Sequence, residues 1–442
     1  MTYRVLIGIL ILAAILRFWQ LGIVPPSPDW DEAALGYNAY SILKTGRDEY
    51  GTWLPRVLRS FDDYKPPLYA YLAIPSVAAF GLNLWSVRLP SALAGILAVF
   101  GVYVLTKTLL EKTRTRVPAQ TLAQMSALLL AISPWHLQFS RIAFEANIGV
   151  TVHIWAIVSF LKGLRSKMWL SLAAFLFALG FYAYHSERVF LPLMLIVLTI
   201  LYRKEIFRSL PSLIIPCVIG IVTIAPLVTV FLNGASWTRL AGTSSLSDKT
   251  GVLARSVRKL GDDNALHNPW GTIFDNRRIV YARTLLDGYL SHYSLRWLFL
   301  IGDNDRHHAP DMGLLYWVEF PFLFWGIFTA WKWKNRVSKI LFSWLFIAPI
   351  AASPTSELPH AIRTLVFLPT FQIFIAVGFF EGWLWLLRQQ RLLRFVILTA
   401  GVGAVIFNIT YYIHMYFGHM NREYSQNWQY GYKEVVAYAS EH

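Results

Sequence analysis

The chain has 442 residues, of which 56% are hydrophobic and 15% charged, and its mean hydropathy is +0.45. Soluble globular proteins carry about 25% charged residues, so this composition excludes an ordinary water-soluble enzyme and indicates several membrane spans. The net charge of +15 could indicate a nucleic-acid partner, and the positions of the basic residues test that idea.

Apolar stretches of about 20 residues, the length that crosses a bilayer, recur along the whole chain. They predict an all-α polytopic membrane protein with about eleven transmembrane helices and a cytoplasmic N-terminus. The predicted spans are 4–21, 88–109, 117–135, 145–162, 169–185, 188–202, 209–232, 312–331, 338–353, 364–388 and 395–417.

The basic residues follow the predicted sidedness of the membrane. The inner loops hold 18 of the 40 basic residues and three of the 25 acidic residues, so the whole excess of +15 lies inside. This pattern is the positive-inside rule, and it explains the charge without a nucleic-acid partner. It places two large loops, 22–87 and 233–311, on the outer side.

The first outer loop, 22–87, carries signals for a helix of its own. An amphipathic run follows Asp29, Asp31 and Glu32 and ends at Gly46. Acidic residues before such a run mark the start of a helix, and a glycine after it marks the end. Such a helix is expected to lie on the membrane surface. Its apolar face would comprise Leu35, Ala39, Ile42 and Leu43.

Three other segments have weaker signals. The apolar stretch 67–83 is short and contains Pro75, and a crossing there would invert every later loop, so it is predicted as a juxtamembrane or re-entrant helix. Residues 279–301 are predicted as a second surface helix. A transmembrane domain of residues 1–418 would then precede an outer tail, 419–442, which could be the start of a truncated soluble domain.

Charged side chains at membrane level are costly and are therefore candidates for function. The candidates all lie at the outer ends of spans, as an outward-facing site requires. They are Asp31, Glu32, Asp62, Asp63, Lys65, Arg88, Arg141, Glu145, His185, Glu187, Arg188, Glu357, His360 and Arg363.

Asp31 is the sharpest candidate. It lies near a predicted helix N-terminus, where the helix dipole favours the ionised carboxylate, and an ionised carboxylate can accept the proton of an attacking hydroxyl. The alternative is that Asp29 or Asp31 only caps the helix, and spacing alone leaves both interpretations open.

Four cations, Lys65, Arg88, Arg188 and Arg363, are predicted to hold a phosphate. Cations stabilise the charge on a departing phosphate, and the arginine fork can bind two of its oxygens. The alternative for each is a side chain that only reaches from a helix end to the interface.

Five further residues are expected to contact substrate. Glu145 follows Arg141 by four residues, so these two could instead pair on one helix face. The predicted substrate contacts are Asp63, Arg141, Glu145, His185 and His307.

The polar segment 302–311 contains several residue types that bind metals, but their spacing matches no specific site. We therefore expect an ordered polar turn and no cofactor, with a divalent metal as the alternative. No Gly-rich phosphate loop of the GxGxxG or GxxxxGKS type occurs, so nothing supports a nucleotide-sugar donor. The possible ligands are Asp303, Asp305, His307, His308 and Asp311.

The motifs, taken in order, resemble a known family over roughly residues 1–200. The set is similar to the GT-C membrane glycosyltransferases of family 39 and its relatives, the protein O-mannosyltransferases and the aminoarabinose transferase of lipid A. The motifs are Asp31-Glu32, Asp63-Tyr-Lys-Pro-Pro67, Arg88-Leu-Pro-Ser-Ala92 and Ser133-Pro-Trp135, followed by Arg141 and Glu145.

The resemblance implies an inverting transfer of a sugar from an undecaprenyl or dolichyl monophosphate to an acceptor hydroxyl at the outer face of a bacterial inner membrane. It makes Asp31 the expected base, with Glu32 beside it, and it places Arg88 and Lys65 near the carrier phosphate. Tyr64 stands where aminoarabinose-type enzymes carry an acid. Members of this kind mostly need no metal.

Two other interpretations stay open from the sequence. A transporter of lipid-linked sugars would explain the spans, but it predicts paired halves and interrupted helices near the midplane, and neither is found. A glycan ligase that uses a diphosphate carrier predicts a larger cationic site. The sugar and the acceptor, which could be a lipid, a glycan or a protein, are not defined by the sequence.

Overall fold

The computed structural model describes residues 2–60, 63–111, 113–232, 244 and 249–442. Helices dominate these residues, as the apolar spans predict. The first eleven are α1 (Thr2–Phe18), α2 (Trp30–Thr45), α3 (Leu68–Phe80), α4 (Leu84–Leu110), α5 (Ala119–Ile132), α6 (Pro134–Ser140), α7 (Glu145–Gly163), α8 (Lys167–Leu179), α9 (Glu187–Leu201), α10 (Arg203–Ile206) and α11 (Ile214–Leu232). The others are α12 (Lys249–Ala265), α13 (Gly271–Phe274), α14 (Arg277–Ser291), α15 (Phe320–Lys332), α16 (Arg336–Ile347), α17 (Thr370–Leu386), α18 (Arg391–Ile413), α19 (Met420–Glu423) and α20 (Tyr432–Glu441).

Each predicted span overlaps one of these helices, so the all-α polytopic class is confirmed. The number of spans stays a prediction, because only some helices have by themselves the length and apolarity to cross a membrane. In the described part of the chain these are Leu84–Leu110, Glu145–Gly163, Leu210–Val230 and Arg391–Glu423.

The bundle is organised around α7. Its apolar window is 83% buried inside the protein, whereas that of the helix from Arg391 is 6% buried, so α7 is central and α18 peripheral. Small residues bring other helices together, as is usual where lipid removes the hydrophobic driving force. A Cβ on Gly326 of α15 would lie 1.7 Å from the Phe374 carbonyl oxygen of α17, so any larger residue would separate the two helices.

We call the end of the bundle that carries loop 22–87 the outer end, following the predicted orientation. There α2 begins after Asp29 and ends at Gly46, whose φ of 71° is left-handed. The predicted start and stop signals are thus confirmed. The apolar face differs from the prediction in one position, because Leu43 is 37% exposed. Leu35, Ala39 and Ile42 are buried against α3 and α4, so this face packs on protein rather than on lipid.

A short antiparallel hairpin joins α2 to α3. Strand β1 (Leu58–Ser60) pairs with β2 (Asp63–Lys65), with Leu58 opposite Lys65. Leu58 and Lys65 are both buried, so the hairpin turns the lysine side chain towards the protein.

The second outer loop corrects one prediction. The helix predicted over 279–301 is instead α14, which ends at Ser291, and a separate π-helical turn over Trp297–Ile301. The segments 233–243 and 245–248 of this loop lie outside the described residues. The tail ends in the exposed helix α20.

Candidate active site

Asp29, and not Asp31, caps helix α2. The Asp29 carboxylate accepts the backbone N–H of Asp31, and the Glu32 carboxylate accepts the N–H of Asp29 at 3.3 Å, which forms a capping box. This leaves the Asp31 side chain available for another contact. Its Oδ1 lies 2.7 Å from Lys65 Nζ, and the Asp31 side chain is 24% exposed. Asp31 is therefore an accessible carboxylate oriented by a lysine.

Asp29 is completely buried and is held from the other side by Arg306. The Arg306 Nη1 lies 2.6 Å from Asp29 Oδ2, and the guanidinium lies over the Trp30 ring at 4.2 Å. Burial, with additional contributions from the charges of Asp31 and Glu32, raises the pKa of Asp29 to about 7, and the charge of Arg306 opposes this rise. Asp29 thus links the start of α2 to the second outer loop, away from solvent.

Glu32 and Arg88 form a fully buried ion pair beneath Asp31. Arg88 Nε and Nη2 each donate to one Glu32 oxygen at 2.8 Å, and the Ala143 N–H donates to Glu32 Oε1 at 2.7 Å. The remaining Arg88 donors bond to the backbone carbonyls of Leu21, Pro25 and Ser27. All five N–H groups of Arg88 therefore have protein acceptors, and the pair anchors α2 to α4.

Arg141 is buried in a similar way. Its Nε donates to the Tyr416 hydroxyl at 3.3 Å, and its other nitrogens donate to backbone carbonyls of residues 16–24. Arg141 follows α6 while Glu145 begins α7, so the two do not share a helix face, contrary to one of the two alternatives above. We call Glu32, Arg88 and Arg141 the buried frame.

The hydrogen bonds of Arg88 and Arg141 indicate that the frame residues stabilise the fold. Neither Arg88 nor Arg141 is exposed, so a phosphate could reach them only if existing hydrogen bonds broke. Their predicted roles toward carrier and substrate stay predictions that this arrangement does not favour. Glu145 is 4% exposed at the start of α7, and the side chain of Asp63 lies outside the described part of the structure.

Five other predicted residues are connected to one another, and all of them except the buried Lys65 are partly exposed. His185 Nε2 donates to the Tyr64 carbonyl at 3.1 Å, directly beside Lys65. Arg188 Nη1 lies 3.2 Å from His185 Nδ1, which fixes a tautomer with the proton on Nε2. Ser186, which directly follows His185, donates from its hydroxyl to the carbonyl of Arg363 at 2.7 Å. We call Asp31, Lys65, His185, Arg188 and Arg363 the outer rim.

A cleft that sequence reasoning missed opens beside the rim. It has a volume of about 650 Å³ and is formed by the chain on both sides of β1. Its lining mixes aromatic and cationic side chains, and the Arg59 guanidinium lies over the Tyr50 ring at 4.9 Å. Such a lining suits a sugar, and the alternation of Tyr, Trp and Arg over residues 50–64 was the available signal. The lining includes Asp48, Tyr50, Trp53, Arg56, Arg59 and Tyr64.

The polar segment 302–311 is an ordered turn. Asp303 Oδ2 accepts from His307 Nδ1 at 2.9 Å and from the Ala361 N–H at 2.7 Å. Burial opposes ionisation of Asp303, but the charge of His307 and these two hydrogen bonds lower its pKa. Burial, followed by the charge of His307, holds the pKa of His360 well below its usual value. His360 lies beside His307, with ring centroids 4.9 Å apart.

The comparisons with known proteins agree with this fold. Residues 64–229 match the family described as dolichyl-phosphate-mannose-protein mannosyltransferase. No curated protein matches the chain by sequence. Among solved structures, ArnT from Cupriavidus metallidurans bound to undecaprenyl phosphate is 14% identical, with a TM-score of 0.51, over 87% of this chain and 60% of ArnT.

The archaeal oligosaccharyltransferase AglB from Archaeoglobus fulgidus, in complex with an inhibitory peptide and a dolichol-phosphate, is also 14% identical, with a TM-score of 0.50. That match covers 97% of this chain and 56% of AglB, so the chain spans roughly three fifths of the length of these relatives. The resemblance inferred from the motifs is confirmed. The protein has the GT-C fold of integral membrane glycosyltransferases, and over residues 64–229 it is similar to the dolichyl-phosphate-mannose-protein mannosyltransferases.

Proposed function

We propose that the protein transfers a sugar, with inversion, from a polyprenyl monophosphate carrier to an acceptor hydroxyl at the outer face of the membrane. One observation carries this proposal: Asp31 is accessible, is not needed as the helix cap, and lies 2.7 Å from Lys65 at the start of the cationic rim. A general base and a phosphate site need this proximity, because both act at the same anomeric carbon.

Lys65 couples the two parts of the site. Its ammonium has three donors, so it can contact Asp31 and a phosphate oxygen together. The Lys65 ammonium would therefore hold the carboxylate of Asp31 and the phosphate of the carrier side by side. Arg188 and Arg363 complete the cationic side that holds the departing phosphate.

The neighbouring carboxylate supports an inverting reaction. A retaining displacement needs a second carboxylate as nucleophile, about 5–5.5 Å from the first. Glu32 is beside Asp31 in sequence, but it is fully buried and accepts hydrogen bonds from Arg88 and Ala143. With Glu32 held away, a single displacement with Asp31 as the base is the simplest chemistry.

The carrier is inferred from the relatives. ArnT binds undecaprenyl phosphate and AglB a dolichol-phosphate in the structures that resemble this chain. We propose a polyprenyl-phosphate hexose or pentose as the donor, a lipid, glycan or protein hydroxyl as the acceptor, and a bacterial inner membrane as the location. The base and its cations need no metal for this step.

A second candidate uses a diphosphate carrier. The cleft beside the rim adds Arg56 and Arg59 to the cationic surface, as a second phosphate would require. Donors with a diphosphate therefore belong in the same assay. Faster release of prenyl diphosphate than of monophosphate would favour this candidate.

The test is turnover in detergent with a panel of prenyl-phosphate sugars, measured as release of prenyl phosphate. Asp31→Asn should retain carrier binding and lose transfer by at least ~100-fold, the scale of a removed general base. The exposed Asp262→Asn on α12 is the matched control and should keep full activity. Near-normal turnover by Asp31→Asn would reject Asp31 as the base. No release with any donor, together with sugar-lipid transport in liposomes, would favour the transporter.

A further inference from the structure

Asp303, His307 and His360 form a compact cluster at the outer end. Asp303 and His307 lie on the turn 302–311, and His360 comes from the loop before α17. One possible ligand atom from each lies within 4.8 Å of the others. Two imidazoles and a carboxylate are typical ligands of zinc and related transition metals, whereas calcium and magnesium prefer oxygen alone.

The cluster contains buried atoms that lack partners. His360 is 7% exposed, and its Nδ1 has no hydrogen-bond partner among the described residues. Asp303 Oδ1 is also buried and unpaired in the same part of the chain. A buried polar atom without a partner is costly, and a metal ion satisfies carboxylate and imidazole lone pairs together.

A hydrogen bond to one ligand and an open cavity accompany this cluster. The Ala361 N–H donates to Asp303 Oδ2 at 2.7 Å and orients the carboxylate, as outer hydrogen bonds do around metal sites. A cavity of about 300 Å³ is lined by Asp303, His307 and His360, and also by Asn304 and Glu357. Three protein ligands beside an open cavity leave room for water as the fourth ligand.

We propose that Asp303, His307 and His360 bind a divalent transition-metal ion of the zinc class. Zinc at about 2.1 Å from each ligand places neighbouring ligand atoms about 3.4 Å apart, so the three side chains must close by about 1 Å. Side-chain rotation can supply that movement. The hydrogen bond between His307 and Asp303 is then replaced by metal bonds, and the imidazole must bind in its neutral form.

The metal would position two arginines rather than take part in transfer. Arg306, next to His307, holds Asp29 at the cap of α2 with an Nη1–Oδ2 distance of 2.6 Å. Arg363, three residues after His360, belongs to the outer rim. An ion that joins the turn 302–311 to the loop of His360 would fix both arginines relative to each other. Metal binding itself does not depend on the proposed transferase activity.

The experiment uses the full chain, purified in detergent and treated with EDTA. Zinc is then added, and bound metal and the melting temperature, Tm, are measured. The wild type should bind zinc and rise in Tm, while the same concentration of magnesium should have no effect. His360→Ala and Asp303→Asn should bind zinc at least ~10-fold more weakly, as expected for altered metal ligands.

A surface histidine pair provides the control. His414 and His419 have Nε2 atoms 3.0 Å apart in an exposed position, so they could bind added zinc by themselves. His414→Ala should leave the tight site and its Tm increase intact. Zinc binding that disappears in His414→Ala but persists in His360→Ala would overturn the proposal, and so would an absence of binding by the wild type. Equal Tm values in EDTA would show that the ligand variants fold.

Discussion

The buried frame and the outer rim each combine one acid at the start of α2 with basic residues from other elements, yet their charges are used differently. In the frame, every donor of Arg88 is bonded to protein, and the Glu32–Arg88 pair has no solvent exposure. In the rim, Asp31 keeps a partly exposed carboxylate, and Arg188 and Arg363 are half-buried. A charge at membrane level is therefore a candidate for function, but its hydrogen bonds decide whether it anchors the fold or contacts a ligand.

The largest effect should come from the frame. Arg88→Ala leaves Glu32 buried without its partner, and breaking such a pair costs about 3–5 kcal/mol. We expect a strongly lowered Tm in detergent and loss of activity through disorder at the start of α2. Arg56→Ala, which removes a cation from the cleft, should not change Tm comparably. A normal Tm together with lost carrier binding would instead mean that Arg88 binds the phosphate.

The rim should respond in the opposite way. Arg188→Ala and Arg363→Ala each remove a cation that can bond to phosphate, and a hydrogen bond to a charged group contributes about 1.5–3 kcal/mol. We expect prenyl-phosphate binding to weaken by ~10-fold or more, with Tm near that of the wild type. The exposed Arg283→Ala on α14 is the matched control. Unchanged affinity in both rim variants would mean that the phosphate binds elsewhere.

Local features of this fold could be predicted from the sequence. The apolar stretches predicted the helices. The signals at Asp29 and Gly46 predicted both ends of α2, because helix caps depend on neighbouring residues in the chain. The prediction of one continuous helix over 279–301 was wrong, because hydropathy does not show where the backbone turns. Leu43 lies at the edge of the face that packs on α3 and α4, which Leu35, Ala39 and Ile42 form.

Long-range pairings could not be predicted. The Glu32–Arg88 pair joins residues 56 apart, and no spacing rule indicates that Arg88 would find all its acceptors in protein. For the same reason, the cluster of Asp303, His307 and His360 could not be predicted. Asp303 and His307 were candidates on one turn, but the third ligand, His360, is brought there only by folding. The rim residues were already candidates in the sequence, and their roles stay predictions, while their connection through Tyr64 and Ser186 became visible only in the structure.

The smallest effect should appear at Asp29, which joins frame and rim. Its pKa is raised from 3.8 to about 7, so between these values the folded chain holds a proton that the unfolded chain has released. Stability from this group therefore falls as pH rises through that window. Asn caps helices as well as Asp does, so Asp29→Asn removes the titration but keeps the cap.

The wild-type Tm, compared with that of Asp29→Asn, should fall by ~2 °C between pH 5 and pH 7 and then level off, because about 2 kcal/mol of linkage produces such a shift at an unfolding entropy of roughly 2.1 cal/mol/K per residue. The other acids are common to both proteins, so the difference isolates Asp29. Parallel curves would mean that Arg306 keeps Asp29 ionised throughout. The Asp29 cap would then carry a permanent negative charge beside Asp31. The ammonium of Lys65 would in that case lie near two ionised carboxylates instead of one.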